Sequence, residues 1–173
     1  MAVLEVAFDK GGLVSNSIFE DMTLNAATVI ERPAEVVWPH LLNQAVWMKD
    51  FKKIETVGGE RNQVGELKKI TPFASEYQPF FFKTLSLIPC RRFVYKAYTE
   101  DRSGRYGFTG LEVLSLVDLG KHSTVSFEGY LEFQSSTMTR AEMTDYVNQG
   151  TAASLASWAR NFERLSELVA SKS

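Results

Sequence analysis

Apolar and polar positions alternate through much of the chain up to residue 135 and then change to a spacing of three and four, which predicts a run of strands closed by one long helix. The first strand is expected from Phe19 to Arg32, where Thr28, Val29 and Ile30 are strong β-formers. Pro33 then opens a helix reaching about Leu42, because a proline is tolerated in a first turn that needs no amide donor. Val37 and Leu41, four apart, share its inner face. Pro39 lies inside this segment and predicts a bend or restart near Trp38, with a second short helix from Ala45 to Lys49.

Five further strand regions and a β-prone run follow. Residues 52 to 58 and 65 to 71 form a hairpin across Gly58 and Gly59. The run from Phe80 to Leu87 turns at residues 88 to 91 into a strand over 92 to 99, in which Phe93, Tyr95 and Ala97 share one face. Leu111 to Val117 and Thr124 to Phe133 form the last pair. In the second of these Phe127 and Leu131 face inward, while Glu128 and Tyr130 face solvent.

The terminal helix is the clearest element. Thr139 and Glu142 have capping-box spacing and no proline follows for about thirty residues. Met143, Tyr146, Val147, Gly150, Ser154, Trp158, Phe162, Leu165 and Val169 form one apolar stripe, bulky at its ends and small in the middle. Small residues there hold the helix away from the sheet with little between them, which implies a cavity. Filling that face with leucine would be the ordinary way to stabilise a solid core, at about 1.5 to 3 kcal/mol per buried side chain.

This order of elements, together with ERPAEVVWPHLLNQAVWMKDF at residues 31 to 51 and VLSLVDLGKHSTVSFEGYLEF at residues 113 to 133, resembles the START-like, Bet v 1-like (SRPBCC) superfamily, nearest its bacterial polyketide cyclase/dehydrase-like members. The resemblance implies an α+β helix-grip fold over residues 18 to 173: a curved antiparallel sheet wrapped around a long C-terminal helix, with two short helices after the first strand. Residues 1 to 17 form an N-terminal extension whose VLEVAF segment is a candidate strand. A deep apolar cavity is implied, used by different members to bind lipids, hormones or polyketides and by some for cyclisation. No shared catalytic residue comes with it.

Composition narrows the function. The 173 residues fit one domain, and a net charge of −2 supplies no basic field for nucleic acid. Clusters such as Lys52, Lys53 and Arg61, or Lys68 and Lys69, read as solvated faces. A single cysteine, Cys90, excludes an intramolecular disulfide and a multi-thiolate metal site, and fits the cytoplasm. No apolar run reaches the roughly 18 residues of a membrane span, and the N-terminus lacks the basic leader of a secretion signal, so no integral membrane association is expected. His40 and His122 lack convergent partners, neither a serine elbow nor a phosphate-binding glycine loop is present, and no cofactor or metal is expected.

The residues expected to line the cavity are Trp47, Phe80, Phe82, Phe93, Tyr95, Val113, Phe127, Tyr146, Gly150, Ser154 and Trp158. Tyr95 either projects a hydroxyl into the cavity or packs in the core, and Arg92 or Arg105 is a candidate for the mouth. Three functions fit: a carrier of a small hydrophobic or lipid-like molecule, a cyclase/dehydratase-type enzyme in which an inward tyrosine or carboxylate moves a proton, and a partner-binding domain.

Overall fold

A computed structural model describes residues 17 to 73, 77 to 100 and 106 to 171. Strand β1 (Ile18–Ile30) leads into helices α1 (Ala34–Leu42) and α2 (Gln44–Trp47). Strands β2 (Phe51–Gly58), β3 (Leu67–Pro72), β4 (Phe80–Ile88), β5 (Arg92–Tyr98), β6 (Gly107–Asp118) and β7 (Ser123–Ser135) follow, and helix α3 (Arg140–Ala170) ends the described chain. All neighbouring strands are antiparallel, in the order β1-β7-β6-β5-β4-β3-β2. The expected VLEVAF strand lies outside the described residues, as does Arg105.

Because β1 and β2 occupy opposite edges of the sheet, the two short helices that join them must cross from one edge to the other. They do so on the side that carries α3, and α3 packs against β1, α1 and α2. Val37, Trp38, Leu41 and Trp47 bury the inner faces of this crossing. Pro33 is the N-cap, one residue ahead of the helix it was expected to start, and α1 continues through Pro39 without restarting. Pro39 and Glu35, whose carbonyl loses its donor, are both exposed, so water can take the missing hydrogen bond.

The capping box opens α3 as the sequence spells it: Thr139 N–H donates to Glu142 at 2.7 Å and Glu142 N–H donates to Thr139 Oγ1 at 3.3 Å. The lower half of the helix is solidly packed. Trp158 stacks on Phe127 with ring centroids 3.7 Å apart and also meets Trp47 at 6.1 Å and Phe162 at 5.4 Å. Val147 and Met143 anchor the upper half, while Gly150, Thr151 and Ser154 between these anchors are only partly buried.

Candidate functional site

The small residues of α3 leave a cavity of about 590 Å³ between the helix and the sheet, a volume within the usual range for small-molecule sites. Gly150, Ala153, Ser154 and Ser157 form its helical wall. Phe80, Phe82, Phe108, Leu131 and Phe133 form the sheet wall, and Trp158 separates the cavity from the packed core below. The aromatic wall is continuous: Phe80 meets Phe51, Phe82 and Phe108 at 5.4 to 5.6 Å, and Phe108 meets Phe133 at 5.3 Å.

Of the residues expected from sequence, Phe80, Phe82, Tyr146, Gly150, Ser154 and Trp158 lie on this wall. Trp47, Phe93, Tyr95 and Phe127 are buried behind it. Val113 points the other way. Alternation in β6 sends Glu112, Leu114 and Leu116 inward, leaving Val113 half-buried with its strand neighbours Leu111 and Ser115 on the outer side. Arg92 is exposed and off the wall; Arg160 from α3 stands there instead. As expected, Glu128 and Tyr130 are outside, joined by a 3.4 Å contact.

Glu112 is the residue that sequence reading missed. It sits on the interior strand β6, between Tyr95 of β5 and Gly129 of β7 in direct cross-strand register. Glu112 lies on the cavity wall although the residue as a whole is buried. Burial pushes its pKa up from 4.5 to about 7, against the opposing effect of the Tyr95 hydroxyl. Tyr95 is raised well above its ordinary value, first by burial and then by the negative charge of Glu112, with Gln44 acting in the opposite sense. Of the three buried polar atoms left without a well-formed hydrogen bond among the described residues, two are Tyr95 Oη and Gln44 Nε2; the third is Trp47 Nε1.

Behind this group lies a second polar pocket. Lys68, expected on a solvated face, is buried: Nζ donates to Gln44 Oε1 at 3.0 Å, pairs with Glu66 at 3.4 Å and lies 5.3 Å from the centre of the Phe93 ring. Burial lowers its pKa although Glu66 acts to raise it. Glu66 is also held by Thr56 Oγ1 at 2.6 Å and Asn62 N–H at 2.9 Å. At the mouth of the main cavity Asp50 accepts from Arg160 and Arg164, both at 2.7 Å, tying the α2–β2 connection to α3.

No family model matches the chain, and no curated protein sequence matches it significantly. Solved structures do. The aromatase/cyclase Zhui from Streptomyces is similar at a TM-score of 0.65 and 12% identity, over 87% of this chain and 94% of that one. Norcoclaurine synthase from Thalictrum flavum, solved with dopamine and hydroxybenzaldehyde, is similar at 0.60 and 14%, over 99% of both chains. The chain has the START-like, Bet v 1-like helix-grip fold. A conserved protein from Geobacillus kaustophilus shares it at 0.61 and 12%, over 87% of this chain and 96% of that one. At such identities the likeness establishes the fold alone. Among the described residues no helix is long and apolar enough to cross a membrane.

Proposed function

We propose that this helix-grip protein takes up a small hydrophobic or lipid-like molecule in the cavity between sheet and α3, with the polar end of that molecule at Glu112. The observation that carries the reading is a roughly 590 Å³ space with a mainly aromatic and aliphatic sheet wall and one buried carboxyl on that wall. Burial of ligand carbon would supply affinity at about 25 cal/mol per Å², and a polar contact to the buried carboxyl would fix orientation. The lone thiol, Cys90, is compatible with a reducing compartment such as the cytoplasm.

A second reading is favoured by one specific feature. A carboxyl that titrates at about 7 beside a phenol gives and takes a proton at neutral pH, as a cyclase or dehydratase acting on a carbonyl compound requires. In that reading Glu112 touches the substrate and Tyr95 positions it.

Both readings are tested by extracting and identifying the organic material that co-purifies with the full chain and with Gly150→Leu. Small apolar molecules retained by the wild type and lost from the variant are the expected result; equal retention by both removes the cavity as the site. For the extracted compound, Glu112→Gln then separates the readings. A carrier keeps most of its binding, whereas an enzyme keeps binding and loses turnover.

A further inference from the structure

Gln44 and Lys68 do not reach the main cavity, yet the chemistry of their contacts fixes how the groups in front of them must face. A lysine ammonium can only donate. The 3.0 Å contact from Lys68 Nζ therefore assigns the nearer atom of the Gln44 amide as its oxygen, which turns the Nε2 donor away from Lys68. Nε2 is buried with no other acceptor, and Tyr95 Oη is buried with no other partner; Gln44 and Glu112 are the two polar side chains that act on that hydroxyl. A phenol that receives an N–H from Gln44 on one side directs its own O–H to the other, where Glu112 lies in cross-strand register.

We propose that Lys68, Gln44 and Tyr95 form a polarised relay that aims the Tyr95 hydroxyl at Glu112 and carries the positive charge of the outer polar pocket to the carboxyl on the cavity wall. Lys68 and Gln44 are positioning residues in this arrangement, since neither lies on the wall a ligand would touch. Each hydrogen bond polarises the next, so that the ammonium strengthens Tyr95 as a donor to the ionised carboxylate. Neither Gln44 Nε2 nor Tyr95 Oη has a hydrogen-bond partner in the structure, and the cost of leaving both buried and unpaired is what favours closing the chain when Glu112 ionises.

The surrounding charges do not supply an alternative source. Lys68 is accompanied by Glu66 in the same buried cluster and by Arg61 at its rim. Around the cavity, α3 contributes Tyr146 and Arg160, the latter paired with Asp50, while β1 contributes only Met22 and Leu24. Tyr77 and Tyr106 also lie on the wall, as uncharged phenols.

The inference extends the assignment of Glu112 as the polar anchor but is tested without a ligand, so its failure and that of the binding reading are separate events. The measurement is the titration of the Glu112 side-chain carboxyl by NMR in the full chain carrying ¹³C-labelled glutamate, with the signal assigned by its loss in Glu112→Gln. Gln44→Leu removes the middle of the relay, and the Glu112 midpoint should rise by roughly half a unit to one unit. Tyr95→Phe should raise it at least as far, and the Gln44→Leu/Tyr95→Phe double variant should rise no further than Tyr95→Phe alone. Lys68→Met leaves Glu66 buried and unpaired and is the variant most prone to unfold, which is why Gln44→Leu carries the test. An unchanged midpoint in folded Gln44→Leu overturns the relay. So does a shift that persists in full when Tyr95 is already phenylalanine.

Discussion

Replacing Glu112 with glutamine should stabilise the protein, by an amount that depends on pH in a defined way. An ordinary glutamate titrates at 4.5 and this one at about 7, a difference of about 2.5 units. At 1.36 kcal/mol per unit the ionised form is disfavoured in the fold by on the order of 3 kcal/mol, an upper value because the cavity is open to water. Since the folded value is raised, the folded state holds a proton that the unfolded state has released between these two points. Stability is therefore fully present below pH 4.5, falls as pH rises, and levels off above about 7. Glutamine has nearly the same shape and no charge to bury. The difference in unfolding free energy between Glu112→Gln and wild type, measured by urea denaturation at pH 4.5, 6, 7 and 8, should grow by up to about 1.4 kcal/mol per unit and become flat above neutrality. Because Asp50 and the other carboxylates are common to both proteins, their acid effects cancel. A difference that stays constant across this range would refute the assignment of Glu112 as a buried, neutral-range acid.

Gly110→Ala should be severe: a Cβ there would stand 2.0 Å from Tyr130 O and 2.7 Å from Leu131 Cα, both backbone atoms of the paired strand, and thermal unfolding should register a loss of roughly 3 kcal/mol. Gly150→Ala should be mild by the same assay, since the nearest atom is the mobile terminal methyl of Met22 at 3.1 Å. Asp50→Asn should cost about 1 kcal/mol or less, because Arg160 and Arg164 are half and one-third exposed; burial acts to raise the Asp50 pKa, but hydrogen bonds from Arg164, Ser157 and Arg160 outweigh it and hold it below 3.8. Its stabilisation is thus present above pH 3.8 and lost as pH falls below that, so wild type and Asp50→Asn should converge in acid denaturation curves.

The fold was legible because its signals are local and repeated. Thr139 and Glu142 mark the start of α3, the GTAAS run marks where it stands off, and alternation in β5 and β7 places Tyr95 and Phe127 inward. What failed was phase and context. In β6 the run of Leu111, Val113 and Val117 is as apolar as Leu114 and Leu116, so hydrophobicity could not say which set faces in; a glutamate on the inner set argues against itself. The signal that does find Glu112 is register, since pairing Tyr95 with its β6 neighbour selects it. Lys68 was misread for a related reason: Glu66, two residues before it, shares its buried side at strand spacing, but a charged pair reads as solvated until Gln44, brought in from the distant helix α2, is seen to cover it. Pro39 was given too much weight, because in an exposed turn the lost hydrogen bond goes to water.

The most direct test is equilibrium titration with the neutral fluorescent probe N-phenyl-1-naphthylamine, comparing the wild type with Gly150→Leu. Gly150→Ala serves as the control that the position tolerates a side chain. The wild type and Gly150→Ala should bind one probe per chain and show quenching of Trp158, whose ring closes the base of the cavity, while folded Gly150→Leu should lose at least tenfold in affinity. Undiminished binding by Gly150→Leu, or no binding by the wild type, would contradict a ligand site between the sheet and the terminal helix.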